Sequence, residues 1–195
     1  MELTGLVLAG GESRRMGRDK ALLDVGGVPM IRRVLEALRP VCGDLVIVTK
    51  TPGAYNDLRA RVVIDDEPTQ APLIGLRAGL AAVATPWAFA AACDLPRLST
   101  AAVRYLAGLA PGYDAVVPHV GGRWHPLHAV YATKARPVFE QRVREGMLTL
   151  AGTLAALRVR KVEAEELAAV DPDLDTLWNV NTESDYRALL ERWPL

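Results

Sequence analysis

Short apolar runs alternating with helix-period stretches constrain this chain more than any other feature. Leu3 to Leu8, Leu45 to Thr49, Val62 to Ile64, Trp87 to Ala92 and Ala115 to Pro118 read as strands. Between them, Met30, Ile31, Val34, Leu35 and Leu38 mark one face of a helix that Pro40 ends; Leu76, Leu80 and Val83 mark a second, and Val103 with Leu106 a third. This alternation predicts a mainly parallel sheet covered by helices, an α/β fold of three layers. The second half departs from simple alternation. Trp124 to Tyr131 reads as one extended segment after a Gly121-Gly122 turn, Leu157 to Val162 as another strand, so the sheet should be mixed. A last helix begins at Thr182, where Thr-Glu-Ser-Asp approximates a capping box ahead of Tyr186, Leu189, Leu190 and Trp193.

With 195 residues, half of them hydrophobic, one domain with a sizeable core is expected over residues 1–195. The 23 basic and 23 acidic residues balance, so no global basic field exists to attract nucleic acid. Cys42 and Cys93 stand far apart, without zinc-ligand spacing or a disulfide framework, and read as small core residues. No basic leader and no apolar stretch of about 18 residues is visible, which predicts a cytoplasmic protein without membrane contact.

The first strand runs straight into Leu8-Ala-Gly-Gly-Glu-Ser-Arg-Arg-Met-Gly-Arg-Asp-Lys20. Gly10 and Gly11 permit backbone angles and a close ligand approach that a Cβ would block, and successive N–H groups there can face anionic oxygens. Arg14, Arg15 and Lys20 add positive charge, with Lys20 expected to carry its ammonium in solvent when no ligand is bound. The segment reads as a triphosphate cradle. It is neither a P-loop, since Gly17 is followed by Arg18 and Asp19, nor the dinucleotide fingerprint Gly-x-Gly-x-x-Gly. The alternative is a Gly-rich turn with solvated charges.

In open α/β sheets, ligands gather outside the carboxyl ends of the strands. Gly10, Thr49, Asp66 and Asp94 all fall there. Asp94 emerges abruptly from the small apolar run Phe89 to Cys93, with Pro96 stiffening the chain just beyond it. Ser99 or Thr100 is better placed than Asp94 to cap the next helix, which sets Asp94 apart as a catalytic candidate.

The segment Leu8 to Lys20 resembles the signature Leu-Ala-Gly-Gly-x-Ser-x-Arg-Met-Gly-x-Asp-Lys of the molybdenum cofactor guanylyltransferases, within the nucleotidyltransferase superfamily, at every specified position. Cytidylyl-transferring relatives usually carry Leu-Ala-Ala-Gly, so Gly10 leans towards guanylyl transfer. The resemblance implies a Rossmann-like, mostly parallel mixed sheet of the nucleotide-diphospho-sugar transferase type. It also implies a nucleotide-binding half over about residues 1–110 and an acceptor-binding half over about 111–195. Cys-Asp-Leu-Pro matches an Asp-x-Pro signature whose Asp, here Asp94, binds Mg²⁺. Gln70 to Leu76 resembles Gly-Pro-Leu-Ala-Gly-Leu, with Ala71 and Ile74 as departures, and implies nucleotide contacts at Leu73 and Gly75. Leu8, Ala9, Gly10, Gly11, Lys20, Thr49, Asp66 and Asp94 complete the implied nucleotide site.

Trp124-His125-Pro126-Leu127 and Asn179-Val-Asn181-Thr182 are candidates for the acceptor side, the second matching a family signature. His125, Asn179 and Asn181 are the acceptor-binding candidates. The asparagines would share one side of an extended segment and offer both donors and acceptors. His119 and His128 have no ligand spacing and receive no role. The implied reaction is Mg²⁺-dependent transfer of GMP from GTP to Mo-molybdopterin, with Lys20, Arg15 and Asp94 as catalytic residues. It implies transient contact with proteins of molybdenum cofactor biosynthesis and insertion. The same chemistry with another base or acceptor, and a nucleotide-binding protein without catalysis, are the alternatives.

Overall fold

The computed structural model describes residues 1–10 and 19–192. Among these residues one mixed sheet of eight strands organises the fold. Strand β1 (Leu3–Leu8) lies between β2 (Asp44–Thr49) and β4 (Trp87–Ala92), with β3 (Arg61–Ile64) outside β2, and the order β3-β2-β1-β4 is parallel throughout. On the far side of β4, β7 (His128–Ala132) runs antiparallel to it, followed by β5 (Ala115–Val120). Strand β6 (Arg123–Trp124) folds back on the end of β5, and β8 (Val159–Glu163) pairs with β5 in parallel.

The segment expected to extend from Trp124 to Tyr131 is therefore two strands with a turn between them. Pro126 has no N–H for a ladder, and the His128 amide instead donates to the carbonyl of His125 at 3.0 Å. The strand expected from Leu157 begins at Val159, because the Leu157 amide still donates to Leu154 at the end of a preceding helix.

Both faces of the sheet are covered. Along β1 the period of two sends Leu3 and Val7 to one side, into a core with Ile31 and Leu35 of α1 (Met30–Leu38), Val103 and Leu106 of α3 (Thr100–Gly108), and Leu167 of α6 (Ala164–Ala168). Leu6 faces the other side with Leu73, Leu76 and Leu80 of α2 (Pro72–Ala82), Phe139 of α4 (Arg136–Arg144), and Leu150 and Leu154 of α5 (Leu150–Leu154). Each fully buried side chain of this size contributes roughly 1.5–3 kcal/mol. The predicted three layers follow from that division.

Helix α7 (Glu183–Arg192) has the predicted cap: Thr182 Oγ1 accepts from the Asp185 amide, and the Asp185 carboxylate accepts from the amides of Thr182 and Asn181. Its Leu189 packs with Val180, Leu23 and Val25 in a separate small cluster. Trp193 lies outside the described residues. Cys42 and Cys93 are buried free thiols, and burial pushes the Cys42 thiol up to about 12.

Helix α2 packs close to β1 at Gly79, where a Cβ would stand 2.4 Å from Leu6 Cδ1. Gly79→Val should therefore lower the free energy of unfolding by about 2 kcal/mol through overpacking. Gly108→Ala, with nothing within 4 Å of its Cβ position, should leave stability unchanged or raise it by up to about 1 kcal/mol. Urea denaturation of the two variants compares them directly.

Candidate active site

Ladder hydrogen bonds continue one residue beyond the ends of the parallel strands and hold the rim of the site. The Ala9 amide donates to Val48 O at 2.8 Å, Cys93 to Leu8 O at 3.1 Å, and Asp65 to Thr49 O at 2.8 Å. Gly10, Asp65 and Asp94 are thus carried on backbone that the sheet itself fixes. Gly10 is not among the glycines at positive φ, and a Cβ there would come no closer than 3.8 Å, to Lys50. Its expected conformational role is not needed, and a Cβ there would fit in ordinary contact.

The centre of the rim is an ion pair. Lys20 Nζ lies 2.5 Å from Asp94 Oδ2, with the two side chains only 20% and 7% exposed. Lys20 is therefore not held in solvent, and removing it would strand a buried carboxylate, costing stability as well as charge at the site. Two asparagines complete the cluster. Val180 is fully buried and its amide donates to the Asp94 carbonyl at 3.0 Å, so the residues on either side of it point the same way. Asn179 Nδ2 donates to Asp94 Oδ1 at 3.1 Å, and Asn181 Oδ1 accepts from Lys20 at 3.2 Å.

Asp19 caps the 3-10 turn Lys20–Leu22 by accepting from the Ala21 amide, and its other oxygen accepts from the Tyr55 hydroxyl at 2.5 Å. Burial, and then the Asp19 carboxylate, raise the Tyr55 phenol above its usual pKa. Tyr55 has φ of 64°, unfavourable for a bulky side chain. The contact that this strained residue makes ties the loop after β2 to the base of Lys20.

The ion pair lines one cavity and is linked through Asn179 and Asn181 to a second. The first, of about 230 Å³, is lined by Leu8, Gly10, Lys20, Thr49, Gly75 and Asp94 among the predicted residues. Ala9, Leu73 and Asp66 stand outside its lining. The Ala9 amide is spent on Val48, Leu73 is fully buried in the core as α2 begins, and Asp66 faces solvent while Asp65 turns inward. Gly11, Arg14 and Arg15 lie outside the described residues. Sequence reasoning missed Asp65, Lys50 and Gln70, whose Nε2 donates to the Gly10 carbonyl at 2.6 Å. A lysine directly after a strand end at Lys50 was the available signal.

The second cavity, of about 790 Å³, is lined by Trp124, His125, Thr149, Asn179, Asn181 and Asp185, among others, and shares Pro72 and Leu127 with the first. Residues 5–169 match the family described as the MobA-like NTP transferase domain. The chain belongs to the MobA-like NTP transferases. It is 38% identical to the molybdenum cofactor guanylyltransferase of Desulfosudis oleivorans, over 94% of this chain and 92% of the relative. A probable molybdenum cofactor guanylyltransferase of Pelotomaculum thermopropionicum is 36% identical, over 95% and 90%. The crystal structure of molybdopterin-guanine dinucleotide biosynthesis protein A from Archaeoglobus fulgidus aligns with a TM-score of 0.84 at 27% identity, covering 97% of each chain. This MobA-like transferase is accordingly a nucleotidyltransferase of the α/β class. Among its described residues no helix is long and apolar enough to cross a membrane.

The histidines of the transferase differ in environment. Burial lowers the pKa of His125, whose Nε2 has no hydrogen-bond partner among the described residues. His128 is buried edge-on against Phe89, and desolvation pulls its pKa down to about 3. A folded-state pKa below the unfolded value of about 6.5 means the unfolded chain takes up the proton first. The stabilising contribution is full above about pH 6.5 and is lost as pH falls towards 3. Replacing His128 with Phe should therefore flatten the decline in unfolding free energy between pH 6.5 and 5 by up to about 1.4 kcal/mol per pH unit. Denaturation curves across that interval measure it, and an unchanged slope would mean that His128 protonates without penalty.

Proposed function

We propose that this transferase moves GMP from GTP to the terminal phosphate of molybdopterin carrying molybdenum and releases pyrophosphate. The observation that carries this reading is the Lys20–Asp94 pair, which lines the first cavity and is tied through Asn179 and Asn181 to the second. The first cavity suits the nucleotide and the second the acceptor, dividing the chain near residue 110. The names of the relatives support the choice of GTP and molybdopterin.

An oxygen of the acceptor phosphate forms a bond to the α-phosphorus of GTP while the bond from that phosphorus to the bridging oxygen breaks, and pyrophosphate leaves with the electron pair. The acceptor is already largely anionic at neutral pH, since a phosphate monoester's second pKa is about 6, so no side-chain nucleophile is required. The protein's task is alignment and charge neutralisation. Lys20 brings positive charge to the junction, Asn179 and Asn181 orient Asp94 and Lys20, and His125 offers a neutral imidazole to the acceptor. Arg15, within the signature loop, adds a second cation for the triphosphate. Asp94 suits Mg²⁺, an ion usually held by one or two carboxylates with phosphates and water completing its shell. When bound, the ion supplies charge neutralisation between phosphate oxygens.

Incubating the protein with each of the four nucleoside triphosphates, Mg²⁺ and molybdopterin should give a guanylylated product by mass, with one pyrophosphate released per product. A cytidylylated product would overturn the choice of base. Nucleotide bound without pyrophosphate release would make the protein a binder. Asp94→Asn tests the site itself. Asparagine suits turns as well as aspartate does, so the chain should still fold, at a lower melting temperature because the largely buried Lys20 ammonium loses the Asp94 charge, whereas turnover of the folded protein should fall by a factor of about 100 to 1,000. Near-normal turnover at limiting Mg²⁺ would reduce Asp94 to a turn former.

A further inference from the structure

We propose that Tyr55 is a positioning residue: through Asp19 it fixes the backbone from which Lys20 reaches the ion pair and, with substrate bound, the triphosphate. The inference rests on the proposed meeting of Lys20 with a triphosphate and is indifferent to the base. A lysine carries its charge on a flexible four-carbon stem, so the place of its ammonium is only as definite as the main chain beneath it. Lys20 opens a single 3-10 turn, Lys20–Leu22, and so short a turn has little stability of its own.

Two anchors flank Lys20. On one side Ala21 is fully buried, in the same core as Tyr55, Leu58 and Cys93. On the other side Asp19 is exposed, and hydrogen bonds hold its side chain in place of burial. Its Oδ1 accepts from the Ala21 amide at 3.0 Å and its Oδ2 from the Tyr55 hydroxyl at 2.5 Å.

Packing alone does not account for Tyr55. The residue is 6% exposed, and a phenylalanine would fill the same core without a hydroxyl that has to be satisfied. Its φ of 64° lies where bulky side chains seldom sit, and such outliers persist only where the surroundings dictate them. The turn that carries it is framed by hydrogen bonds from the Ala54 amide to Thr51 O at 3.3 Å and from the Leu58 amide to Tyr55 O at 3.0 Å. The hydroxyl is thus delivered from a fixed frame beyond β2, the neighbour of β1 in the sheet. Charge gives the contact a second use. A carboxylate that swung free beside Lys20 would compete with phosphates for the ammonium; with one oxygen on the Ala21 amide and the other on Tyr55, Asp19 is held to its own turn and to the core.

Calorimetric titration of the full chain with inorganic tripolyphosphate and Mg²⁺ isolates the part that every nucleoside triphosphate shares. Lys20→Ala should weaken binding about tenfold and Tyr55→Phe about fivefold. Added to Lys20→Ala, Tyr55→Phe should cost nothing further, because the ammonium through which it acts is gone. General damage to the fold would cost the same factor in both backgrounds and would overturn the proposal, as would unchanged affinity in Tyr55→Phe. Should Tyr55→Phe fail to fold, Asp19 tests the contact from its other end. Asp19→Ala and Asp19→Asn both remove the charge, but an amide can still accept from the Ala21 N–H and donate to the phenol oxygen. The asparagine variant should therefore bind tripolyphosphate about fivefold more tightly than the alanine variant, and equal affinities would overturn the proposal. If Lys20→Ala binds as wild type does, the reading of Lys20 falls and this inference with it. If Lys20→Ala weakens binding and Tyr55→Phe does not, only the role of Tyr55 falls.

Discussion

The contact between Lys20 and Asp94 is the interaction on which the site depends. A carboxylate 7% exposed and an ammonium 20% exposed are tolerable together because each cancels much of the other's desolvation, and because neutral amide groups take up further hydrogen-bonding capacity. The four side chains come from three distant parts of the chain: the turn after the signature loop, the end of β4, and the extended segment before α7. The single hydrogen bond from Val180 N–H to the Asp94 carbonyl sets that last segment in register. With that register, Asn179 and Asn181 both face the ion pair; a shift by one residue would turn them away and bring Val180, now fully buried, into the polar centre.

The sheet sets two adjoining cavities beside this local arrangement. Its parallel half delivers Gly10, Thr49, Asp65 and Asp94 to one edge, as carboxyl ends of parallel strands must. Its antiparallel half brings β7 alongside β4 from the opposite direction, so that the turn before β7, with His125 and Leu127, arrives at the same edge. The two cavities therefore share a wall at Pro72 and Leu127, and the ion pair that lines the first is hydrogen-bonded to Asn179 and Asn181 of the second. A sheet parallel throughout would have sent the start of β7 to the other end of the molecule.

Much of the fold was legible because the core is divided by simple periodicities. Leu3, Leu6 and Val7 announce a strand buried on both faces, and Met30 to Leu38 announces a helix. The misreadings have local causes. Pro126 breaks a run that hydrophobicity alone would extend. Asp65 and Asp66 are chemically alike, and only their position after the β3 ladder, where successive side chains take opposite sides, decides which one turns into the cavity. Leu73 looked like part of a binding loop because the segment around it resembles one, but the helix begins there and its first apolar residue faces the sheet. Asp19 is a specified position of the signature, but its partner is not legible there, because the pairing with Tyr55 spans 36 residues.

By itself, the order of residues determined the α/β class, the three layers, the family signature after β1 and the capping of α7, because each rests on contacts or periodicities within a few turns of chain. Tertiary structure alone decided that Lys20 is paired rather than solvated, that Asn179 meets Asp94 and Asn181 meets Lys20, that Asp65 and Lys50 rather than Asp66 line the first cavity, and that His128 is buried and neutral. These are meetings between segments 15 to 161 residues apart. Which charges end up facing one another depends on strand order and register, and those are set by the core as a whole rather than by any stretch of sequence near the charges.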